Sequence, residues 1–259
     1  MTIRIGIAGI AGRMGRLLAE EIPAAGAALA GGTLRPGTAA ERAPPGATIH
    51  PDIAALCAAA DVVIDFTHAA AAAAHAAAAA AARTPLILGT SGLSAAEEAA
   101  LAAAAERIPV VYAANFAPGV NLVLAIAERM AAALPAEQYD AEIVEMHHRQ
   151  KVDAPSGTAI ALGRAVAAGR GTTLEKAGRE CGRDGHTGPR GTGTIGFAAL
   201  RGGQVVGEHT LLFAAGAEHI SLSHRAFDRR VYATGAVRAA LWAHGRAPGL
   251  YGMRDVLGM

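Results

Sequence analysis

The 259-residue sequence is poor in aromatic residues, cysteine and net charge. Aromatic residues make up 4% of the chain, and 23 Lys+Arg against 22 Asp+Glu leave a formal net charge of +1. This balance argues against a general affinity for nucleic acid or for an anionic membrane surface. The two cysteines, Cys57 and Cys181, are far apart and have no partner motif, so we expect neither a disulfide framework nor a metal site.

The sequence also lacks a long run of strongly apolar residues. Its most apolar segments consist mainly of alanine and are interrupted by His75 or by charged residues, which is unlike a membrane span. The first residues have no basic region followed by a long apolar region, so we expect no signal peptide. We therefore expect a cytoplasmic protein with no membrane partner and no nucleic-acid partner.

Lysine is scarce as well, since two of the 23 basic residues are lysines, Lys151 and Lys176. Arginine stays protonated in proteins, whereas lysine can donate its proton. A lysine that persists in such an arginine-rich chain indicates a position that arginine cannot fill. Two histidines, His147 and His148, strengthen this reading for Lys151, because imidazole and ammonium groups suit proton transfer.

The turn that follows these residues, Pro155–Thr158, can begin a helix with Ser156 as its N-cap. N–H groups at a helix start bind carboxylate or phosphate groups. The segment 145–159 therefore predicts a site that binds an anionic substrate and transfers a proton to it. Paired histidines at a strand end are also often structural, and that alternative stays open here.

The first residues predict a dinucleotide-binding unit. An apolar strand over residues 3–8 is followed by Gly9, Gly12 and Gly15 and then by a helical run, which is the opening of a βαβ unit. Gly9 would allow the tight turn, Gly12 the approach of backbone N–H groups to a pyrophosphate, and Gly15 close helix–strand contact. Arg13 adds a positive charge near the place where the phosphates would lie. The alternative to a dinucleotide-binding turn is a plain βα turn with no ligand.

The end of the second predicted strand, 27–33, bears on the choice of cofactor. An acidic residue there would bind the ribose hydroxyls of NAD, and an arginine would accept the 2′-phosphate of NADP. The chain has Arg35 and no acid. We predict that NADPH is accepted at least as well as NADH, with a solvated loop arginine as the alternative.

Strands and helices alternate over the first ~118 residues, which predicts a parallel sheet with right-handed crossovers. Further strands are expected at 61–67, 85–88 and 109–112. The alanine-rich stretch 69–82 and the stretch from Ser94 to about Arg107, which opens with a capping box, are expected to be helices. The strand ends at Gly89–Ser91 and Ala114–Ala117 should border the nicotinamide end of the cofactor.

The second half predicts an α+β domain. Helices are expected at 121–134 and 157–168, and the strands at 140–146, 194–200, 204–213 and 218–224 favour a mostly antiparallel sheet. The glycine-rich segment 178–193 is expected to be a mobile loop that closes over substrate. The last long helix is predicted at 229–244. The remaining histidines without a local motif are expected to be structural: His186, His209, His219, His224 and His244.

Several motifs together resemble the 4-hydroxy-tetrahydrodipicolinate reductases (dihydrodipicolinate reductases), and the resemblance covers nearly the whole chain. The strongest is the segment from Glu145 to Ala159. The other motifs are Gly9…Gly12-Arg13-Met14-Gly15, Ile64-Asp65-Phe66-Thr67, Gly89-Thr90-Ser91-Gly92, Ala114-Asn115-Phe116, Gly188…Gly193-Thr194-Ile195-Gly196-Phe197, Gly207-Glu208-His209, Gly235-Ala236-Val237-Arg238 and Met253-Arg254-Asp255-Val256-Leu257.

The resemblance implies an α/β fold with two domains. Residues 1–118 with 229–259 would form a Rossmann-like dinucleotide-binding domain. Residues 119–228 would form a smaller α+β substrate-binding and oligomerisation domain with a mixed or mostly antiparallel sheet. A homotetramer, a cyclic dicarboxylate substrate and NADPH and/or NADH as cofactor are implied as well. The implied reaction is the reduction of 4-hydroxy-tetrahydrodipicolinate in lysine and diaminopimelate biosynthesis.

The resemblance also implies residue roles. His147 would act as proton donor or acceptor and Lys151 as proton donor, while His148, Gly157 and Thr158 would bind substrate. Many relatives have an acidic residue where this chain has Leu34, which bears on NADH binding. The implied cofactor-binding residues are Gly9, Ile10, Ala11, Gly12, Arg13, Met14, Arg35, Gly89, Thr90, Ser91, Ala114, Asn115, Phe116 and Ala117.

Two other functions remain compatible with the sequence. One is a different NAD(P)-dependent dehydrogenase built on the same two-domain plan. The other is a non-catalytic sensor, in which the glycine turn binds a cofactor that is not turned over. The combination of His147, His148 and Lys151 with the Ser-Gly-Thr turn argues against both.

Overall fold

A computed structural model describes residues 2–259, and the chain divides into two compact units. Unit 1 comprises Met1–Pro118 and Arg230–Met259, and unit 2 comprises Gly119–Arg229. The strands, in chain order, are β1 (Arg4–Ala8), β2 (Ala28–Gly32), β3 (Val62–Asp65), β4 (Leu86–Leu88), β5 (Pro109–Tyr112), β6 (Asp140–His147), β7 (Arg179–Glu180), β8 (Ile195–Arg201), β9 (Gly207–Ala214), β10 (His219–Ala226) and β11 (Gly249–Tyr251).

The α-helices, numbered in the same way, alternate with the strands in unit 1 and are fewer in unit 2. Their bounds are α1 (Arg13–Ala24), α2 (Ile53–Ala59), α3 (Ala69–Ala82), α4 (Ala95–Ala105), α5 (Pro118–Ala133), α6 (Gly157–Gly169), α7 (Leu174–Ala177), α8 (Arg230–Ala243) and α9 (Met253–Leu257). Within the described residues, no helix is both long enough and apolar enough to cross a membrane.

Unit 1 contains a six-stranded sheet in the order β11-β5-β4-β3-β1-β2, and its strand pairs are parallel. The predicted parallel sheet is confirmed. A parallel sheet is covered by helices on both faces, which is why its strands are continuously apolar. In β3 all four residues are buried. The edge strand β11 was not predicted, because Gly249, Leu250 and Tyr251 form no continuous apolar run of the kind that identified β4.

Alanine lets the helices of unit 1 pack closely on this sheet. The predicted helix over 69–82 is confirmed as α3, and its buried residues Ala72, Ala76 and Ala79 lie on one face against α2 and α4. On the other side of the sheet, α8 buries small residues beside Ile5 and Ile7. Short side chains allow such close approach, so alanine enrichment is compatible with a dense core.

Unit 2 contains a five-stranded mixed sheet in the order β10-β9-β6-β8-β7. β9 pairs antiparallel with β6 and β10, whereas β8 pairs parallel with β6 and β7. The mostly antiparallel sheet favoured by the sequence is therefore wrong, and the mixed alternative holds. The reason is that α6 lies between β6 and β8 in the chain and brings β8 back parallel to β6.

Alternate residues of β6 face the core of unit 2. Ala141, Ile143, Glu145 and His147 are buried, and the first two pack against α6 and α5. The residues between them lie on the other face of the sheet, where Val144 is 40% exposed. Because the side-chain period of a strand is two, Glu145 and His147 extend from the same face.

Candidate active site

Strand register assembles a polar cluster at the carboxyl end of β6. Glu145 is paired with His209 on β9, and His147 is paired with Arg201 on β8. Side chains that are directly opposite in neighbouring strands lie close together. The cluster therefore combines one carboxylate, two imidazoles and a guanidinium from three strands.

Glu145 is the centre of the cluster and is 1% exposed. Its Oε2 accepts a hydrogen bond from His147 Nδ1 at 2.6 Å, and its Oε1 accepts one from the Ser156 backbone N–H at 3.0 Å. Arg201 donates to both oxygens, at 2.8 and 2.9 Å. Burial alone would raise the pKa of Glu145, but the hydrogen bonds from Arg201, His147 and Ser156 lower it, so the carboxylate is ionised.

Both histidines of the cluster are held in the neutral form. Burial lowers the pKa of His147 despite the opposing effect of Glu145, and the charges of Lys151 and Arg201 lower it further. Burial likewise lowers the pKa of His209 to about 4. The two rings meet edge to face, with centroids 5.1 Å apart. His209 was expected to be a structural histidine; strand pairing places its ring against His147 and its Nε2 on Ser156, so it is part of the cluster.

The loop after β6 carries Lys151 and His148. Lys151 Nζ donates to both carboxylate oxygens of Asp153, at 2.8 and 2.9 Å. Asp153 is exposed, and the hydrogen bond from Lys151 lowers its pKa. The Nδ1 atom of His148 is buried and has no hydrogen-bond partner within residues 2–259. A buried polar atom of this kind normally has a partner, so His148 has the capacity to bind a further group.

The start of α6 forms the next part of the site. The predicted N-cap is confirmed, since Ser156 Oγ accepts a hydrogen bond from the Ala159 N–H at 3.2 Å. The same hydroxyl is hydrogen-bonded to His209 Nε2 at 3.0 Å. Gly157 is exposed, and a Cβ at that position would meet nothing within 4 Å. Gly157 thus leaves the start of α6 open beside the histidine cluster.

The predicted loop closure over substrate finds no support in the contacts of the glycine-rich segment. Arg190 binds Asp140 and Glu142, and Arg183 binds Glu142, all at distances of 2.9 Å. These carboxylates lie at the beginning of β6, whereas His147 lies at its end. The two arginines therefore tie this segment to the opposite end of the strand from the cluster.

In unit 1, the turn between β1 and α1 has the predicted tight geometry. Gly9 has φ +75°, and a Cβ on Gly15 would lie 2.4 Å from the Gly9 carbonyl oxygen. Gly12 is the N-cap of α1, and its N–H donates to the Gly9 carbonyl at 2.9 Å. The N–H of Gly12 therefore stabilises the turn. The N–H groups of the following first helical residues, which have no acceptor within the helix, are the ones available to an anion.

A cavity of about 480 Å³ lies beside this turn. It brings together three turn residues, Gly9, Ala11 and Gly12, with Arg35 and the unpredicted Arg42. Arg16 donates to the Arg42 carbonyl at 3.0 Å, which fixes that loop next to α1. The remaining lining residues are Thr33, Leu34, Pro36, Thr38, Phe66, Thr67, His68, Ala71 and His75.

A second buried carboxylate lies at the end of β3. Asp65 is fully buried and accepts hydrogen bonds from the Thr67 N–H and hydroxyl, at 2.7 and 2.6 Å, and from His75 Nδ1 at 2.6 Å. Thr67 in turn lies against Gly9, where an added Cβ would be 3.0 Å from Thr67 Cγ2. Asp65 therefore holds the wall of the cavity in place. His75 was expected to be exposed or structural, and it is the structural partner of Asp65.

The other residues predicted to hold a cofactor lie outside this cavity. Ile10, Phe116 and Ala117 are buried in the core, whereas Arg13, Ser91 and Ala114 are exposed. Met14 is half-buried and packs on the core, and Gly89 and Asn115 are half-buried. Thr90 is buried, and its hydroxyl has no partner among the described residues. An orphaned hydroxyl at a strand end is compatible with a hydrogen bond to a bound cofactor.

Across residues 2–259, no group of three or more histidine, cysteine or acidic side chains is arranged to hold a metal ion. The sequence did not identify the supporting residues: Glu145, Asp153, Arg201 and His209 in unit 2, and Arg42, Asp65 and His75 in unit 1. A partial signal existed, because Glu145, Asp65 and His209 lie within the motifs that resemble the reductases.

The fold of unit 1 and the polar cluster of unit 2 together define the class of the protein. A parallel sheet with a glycine turn leading into α1 is the arrangement of dinucleotide-binding domains. The cluster of His147, Lys151 and an open helix start suits proton transfer to an anionic substrate. These features define a dinucleotide-dependent oxidoreductase.

Comparison with known proteins identifies the family. The family described as "Dihydrodipicolinate reductase, N-terminus" matches residues 3–116, and "Dihydrodipicolinate reductase, C-terminus" matches residues 119–257. The 4-hydroxy-tetrahydrodipicolinate reductase of Granulibacter bethesdensis is 67% identical, with 100% of this chain and 98% of that protein covered. The chain belongs to the dihydrodipicolinate reductase family.

A second relative agrees with this assignment, and a solved structure shares the fold. The 4-hydroxy-tetrahydrodipicolinate reductase of Acidiphilium cryptum is 62% identical, with 99% of this chain and 98% of that protein covered. A solved dipicolinate-bound dihydrodipicolinate reductase from a Paenisporosarcina species has a TM-score of 0.79 at 23% identity, covering 98% of this chain and 99% of that one. At that identity the structural likeness concerns the fold.

Proposed function

We propose that this protein reduces 4-hydroxy-tetrahydrodipicolinate to tetrahydrodipicolinate with NAD(P)H, in lysine and diaminopimelate biosynthesis. The observation that carries the proposal is the 67% identity, over the whole chain, to a protein named for this reaction. The cluster at the end of β6 supports it, because it offers the groups that an anionic substrate in need of a proton requires.

The residues of unit 1 fit a nicotinamide dinucleotide. The turn at Gly9 and Gly12 leaves backbone next to a cavity of about 480 Å³, a size typical of small-molecule sites. Arg35 and Arg42 line the same cavity, and two guanidinium groups suit a 2′-phosphate. When bound, the reduced cofactor supplies a hydride to the substrate ring.

Lys151 is the better proton donor of the two candidates. Hydride addition to a conjugated imine shifts negative charge to the ring nitrogen, which must then be protonated. The pKa of His147 is lowered, mainly by burial, so its imidazole is neutral near pH 7 and cannot donate as an imidazolium. The Lys151 ammonium, held by Asp153 at 2.8 Å, provides that proton. His147 then serves as a hydrogen-bonding partner and acceptor.

The start of α6 binds a carboxylate of the substrate. Gly157 leaves the backbone open, and Thr158 follows it in the first turn. A helix start carries partial positive charge and presents N–H donors to an anion. His148, with its buried and unpartnered Nδ1, is positioned as a second substrate contact.

The protein functions as a cytoplasmic homotetramer in this proposal. Unit 2 has one sheet face, here called the open face, that is formed by Glu142, Val144, Met146, Ala198, Leu200, Thr210 and Leu212. Val144 and Leu200 on this face are 40% and 51% exposed. An apolar face of this kind suits burial against other copies of the chain.

A different dehydrogenase activity and a sensor role are the two competing functions. Several dehydrogenases share the two-unit fold, including a UDP-N-acetylglucosamine 3-dehydrogenase from Acidithiobacillus ferrooxidans with a TM-score of 0.58 at 20% identity. Fold alone does not distinguish their substrates. The Lys151–Asp153 pair and the cluster around Glu145 favour the proposed reduction.

A coupled assay tests the proposal. Substrate is generated from pyruvate and aspartate semialdehyde with the preceding synthase, and oxidation of NADPH and NADH is followed separately. We expect oxidation that depends on the synthase product. If both cofactors bind and neither is oxidised, the protein is a sensor or a dehydrogenase for another substrate, which a substrate panel would identify.

The same assay tests the cofactor choice. Because Arg35 and Arg42 line the cavity and no acidic residue follows β2, we expect kcat/KM for NADPH to equal or exceed that for NADH. Arg35→Ala should lower kcat/KM for NADPH about tenfold, the effect of losing one charged contact, and leave NADH little changed. A much higher kcat/KM for NADH in the unchanged protein would contradict this role.

A further inference from the structure

The side chains around Glu145 form a saturated hydrogen-bond arrangement. Each of its two oxygens accepts one bond from Arg201, and each accepts one more, from His147 or from the Ser156 N–H. An ionised carboxylate only accepts hydrogen bonds, so every donor in this set has a fixed direction. With this many donors, the buried carboxylate of Glu145 is held in one position and fixes the orientation of the groups that donate to it.

We infer that Glu145 and Arg201 are positioning residues that hold His147 as the neutral tautomer protonated on Nδ1 and place the Lys151 loop beside it. The kinetic part of this inference rests on the proposed function. The structural part, which concerns the ring of His147, does not.

The tautomer follows from the geometry at Nδ1. Glu145 Oε2 lies 2.6 Å from His147 Nδ1, and a carboxylate needs a proton at that nitrogen to form the bond. In a neutral ring, Nε2 then has the lone pair. Nε2 points toward Gly207, where an added Cβ would lie 3.1 Å away. Glycine at position 207 therefore leaves no side chain to crowd the acceptor nitrogen.

Arg201 has two separate effects. It neutralises the buried charge of Glu145 through a bidentate contact, which counteracts the tendency of that carboxylate to favour the protonated form of His147. It also donates to the Asp153 carbonyl at 2.7 Å. Asp153 binds Lys151, so one guanidinium connects the strand that carries His147 with the loop that carries the proton donor.

The chain offers a matched control on the same strand. Glu142 also binds two arginines, Arg183 and Arg190, but it lies on the open face and does not contact His147. Glu142→Gln therefore changes an equally well paired carboxylate of β6 without changing the cluster. Glu145→Gln is the test variant, and Arg201→Lys is a second variant that keeps the charge but loses the bidentate contact.

The experiment combines kinetics with ¹⁵N NMR of histidine-labelled protein. In the unchanged protein we expect the His147 ring, identified by its loss in His147→Asn, to show a protonated Nδ1 and an unprotonated Nε2. Glu145→Gln should give a mixture of tautomers and lower kcat about 10- to 100-fold with less than a threefold change in substrate KM, a fraction of what general acid help supplies.

The pH profile adds a readout that a purely structural role would not move. Without the carboxylate, His147 loses the partner that favours its protonated form, so the acid limb of kcat/KM should shift to lower pH in Glu145→Gln. Arg201→Lys should retain more activity than Arg201→Gln, and Glu142→Gln should match the unchanged protein in tautomer and kcat.

The outcomes separate the two proposals. If His147 in Glu145→Gln keeps the ring shifts and pH profile of the unchanged protein, the positioning role is wrong. If the unchanged protein has the Nδ1 tautomer but oxidises no cofactor, the reductase function fails and the positioning of His147 stands. If Glu145→Gln does not fold, Arg201→Lys decides the question by the same spectra.

Discussion

Lys151 and Lys176 are the two lysines of the chain, and their environments differ. The side chain of Lys151 is 19% exposed and its ammonium is held by Asp153, whereas Lys176 lies on the short helix α7 and is exposed. A lysine in a restricted environment next to neutral imidazoles suits proton donation, whereas an exposed one has no such role.

The Lys151→Ala substitution should lower kcat by about 10²–10⁴-fold, the usual contribution of a positioned general acid, and raise substrate KM far less. His147→Ala should also lower kcat more than it raises KM. Steady-state kinetics in the coupled assay measure both. Lys176→Ala is the control and should match the unchanged enzyme. A near-normal kcat for Lys151→Ala would show that Lys151 is not the proton donor.

Burial of His209 should make the stability of the protein depend on pH. Its pKa falls from 6.5 to about 4 in the folded state because of burial, so the unfolded chain binds more protons between these values. Above pH 6.5 the ring of His209 is neutral in both the folded and the unfolded chain, so it costs no stability. As the pH falls from 6.5 toward 4, the unfolded chain is protonated first, and the free energy of unfolding decreases. The loss is on the order of 3 kcal/mol.

Urea unfolding at fixed protein concentration, measured at several pH values between 7 and about 4, checks this prediction. His209→Gln should reduce the dependence of the unfolding free energy on pH, because the titrating group is removed. His186→Gln, in an exposed loop, serves as the control and should keep the original dependence. Equal slopes for His209→Gln and the unchanged protein would contradict the effect of burial on His209.

At the scale of elements, the turn into α1 depends on close backbone contact. A Cβ on Gly15 would lie 2.4 Å from the Gly9 carbonyl oxygen and 2.6 Å from that of Ile10. Both neighbours are backbone atoms, which cannot rotate away as a side chain could. The first turn of α1 can therefore lie this close to the end of β1 only with glycine at this position.

Gly15→Ala should destabilise the protein by roughly 1–3 kcal/mol, the usual cost of overpacking, and should weaken cofactor binding about tenfold as α1 shifts. Thermal unfolding and a cofactor titration measure the two effects. Gly216→Ala is the matched control, because a Cβ there meets nothing within 4 Å. Unchanged cofactor affinity in Gly15→Ala would mean that the position of α1 does not govern binding.

At the scale of the whole molecule, the open face of unit 2 is the surface that we propose for association between copies of the chain. Leu200 on that face and Leu250 in unit 1 are about equally exposed, at 51% and 52%. Exposure alone therefore does not distinguish them. Leu200 belongs to a sheet face with several apolar neighbours, whereas Leu250 is on the edge strand β11.

Leu200→Glu should dissociate the proposed tetramer, because burying several added carboxylates against an apolar face is unfavourable. Sedimentation velocity should then show a smaller species, while Leu250→Glu keeps the size of the unchanged protein. A Leu200→Glu protein that remains tetrameric would place the interface elsewhere, and an unchanged protein that sediments as a monomer would refute the tetramer.

Local pattern accounts for most of what could be predicted. Alanine runs, the capping box at Ser94 and the glycine turn specify helices and a βα unit through contacts among near neighbours in the chain. His147 and Lys151 were recognisable for the same reason, since their chemistry and spacing lie within one short segment. Family resemblance then extended these local patterns to a function.

Long-range pairing accounts for the rest. Glu145 meets Arg201 across 56 residues and Ser156 meets His209 across 53, and these contacts depend on the register of three strands. A shift of one residue would turn Glu145 to the open face. The parallel pairing of β6 with β8 is likewise a property of the folded sheet. The sequence thus indicates which groups are chemically suited to proton transfer. The folded sheet brings the charges around them together, because strand register is set by packing across the whole unit.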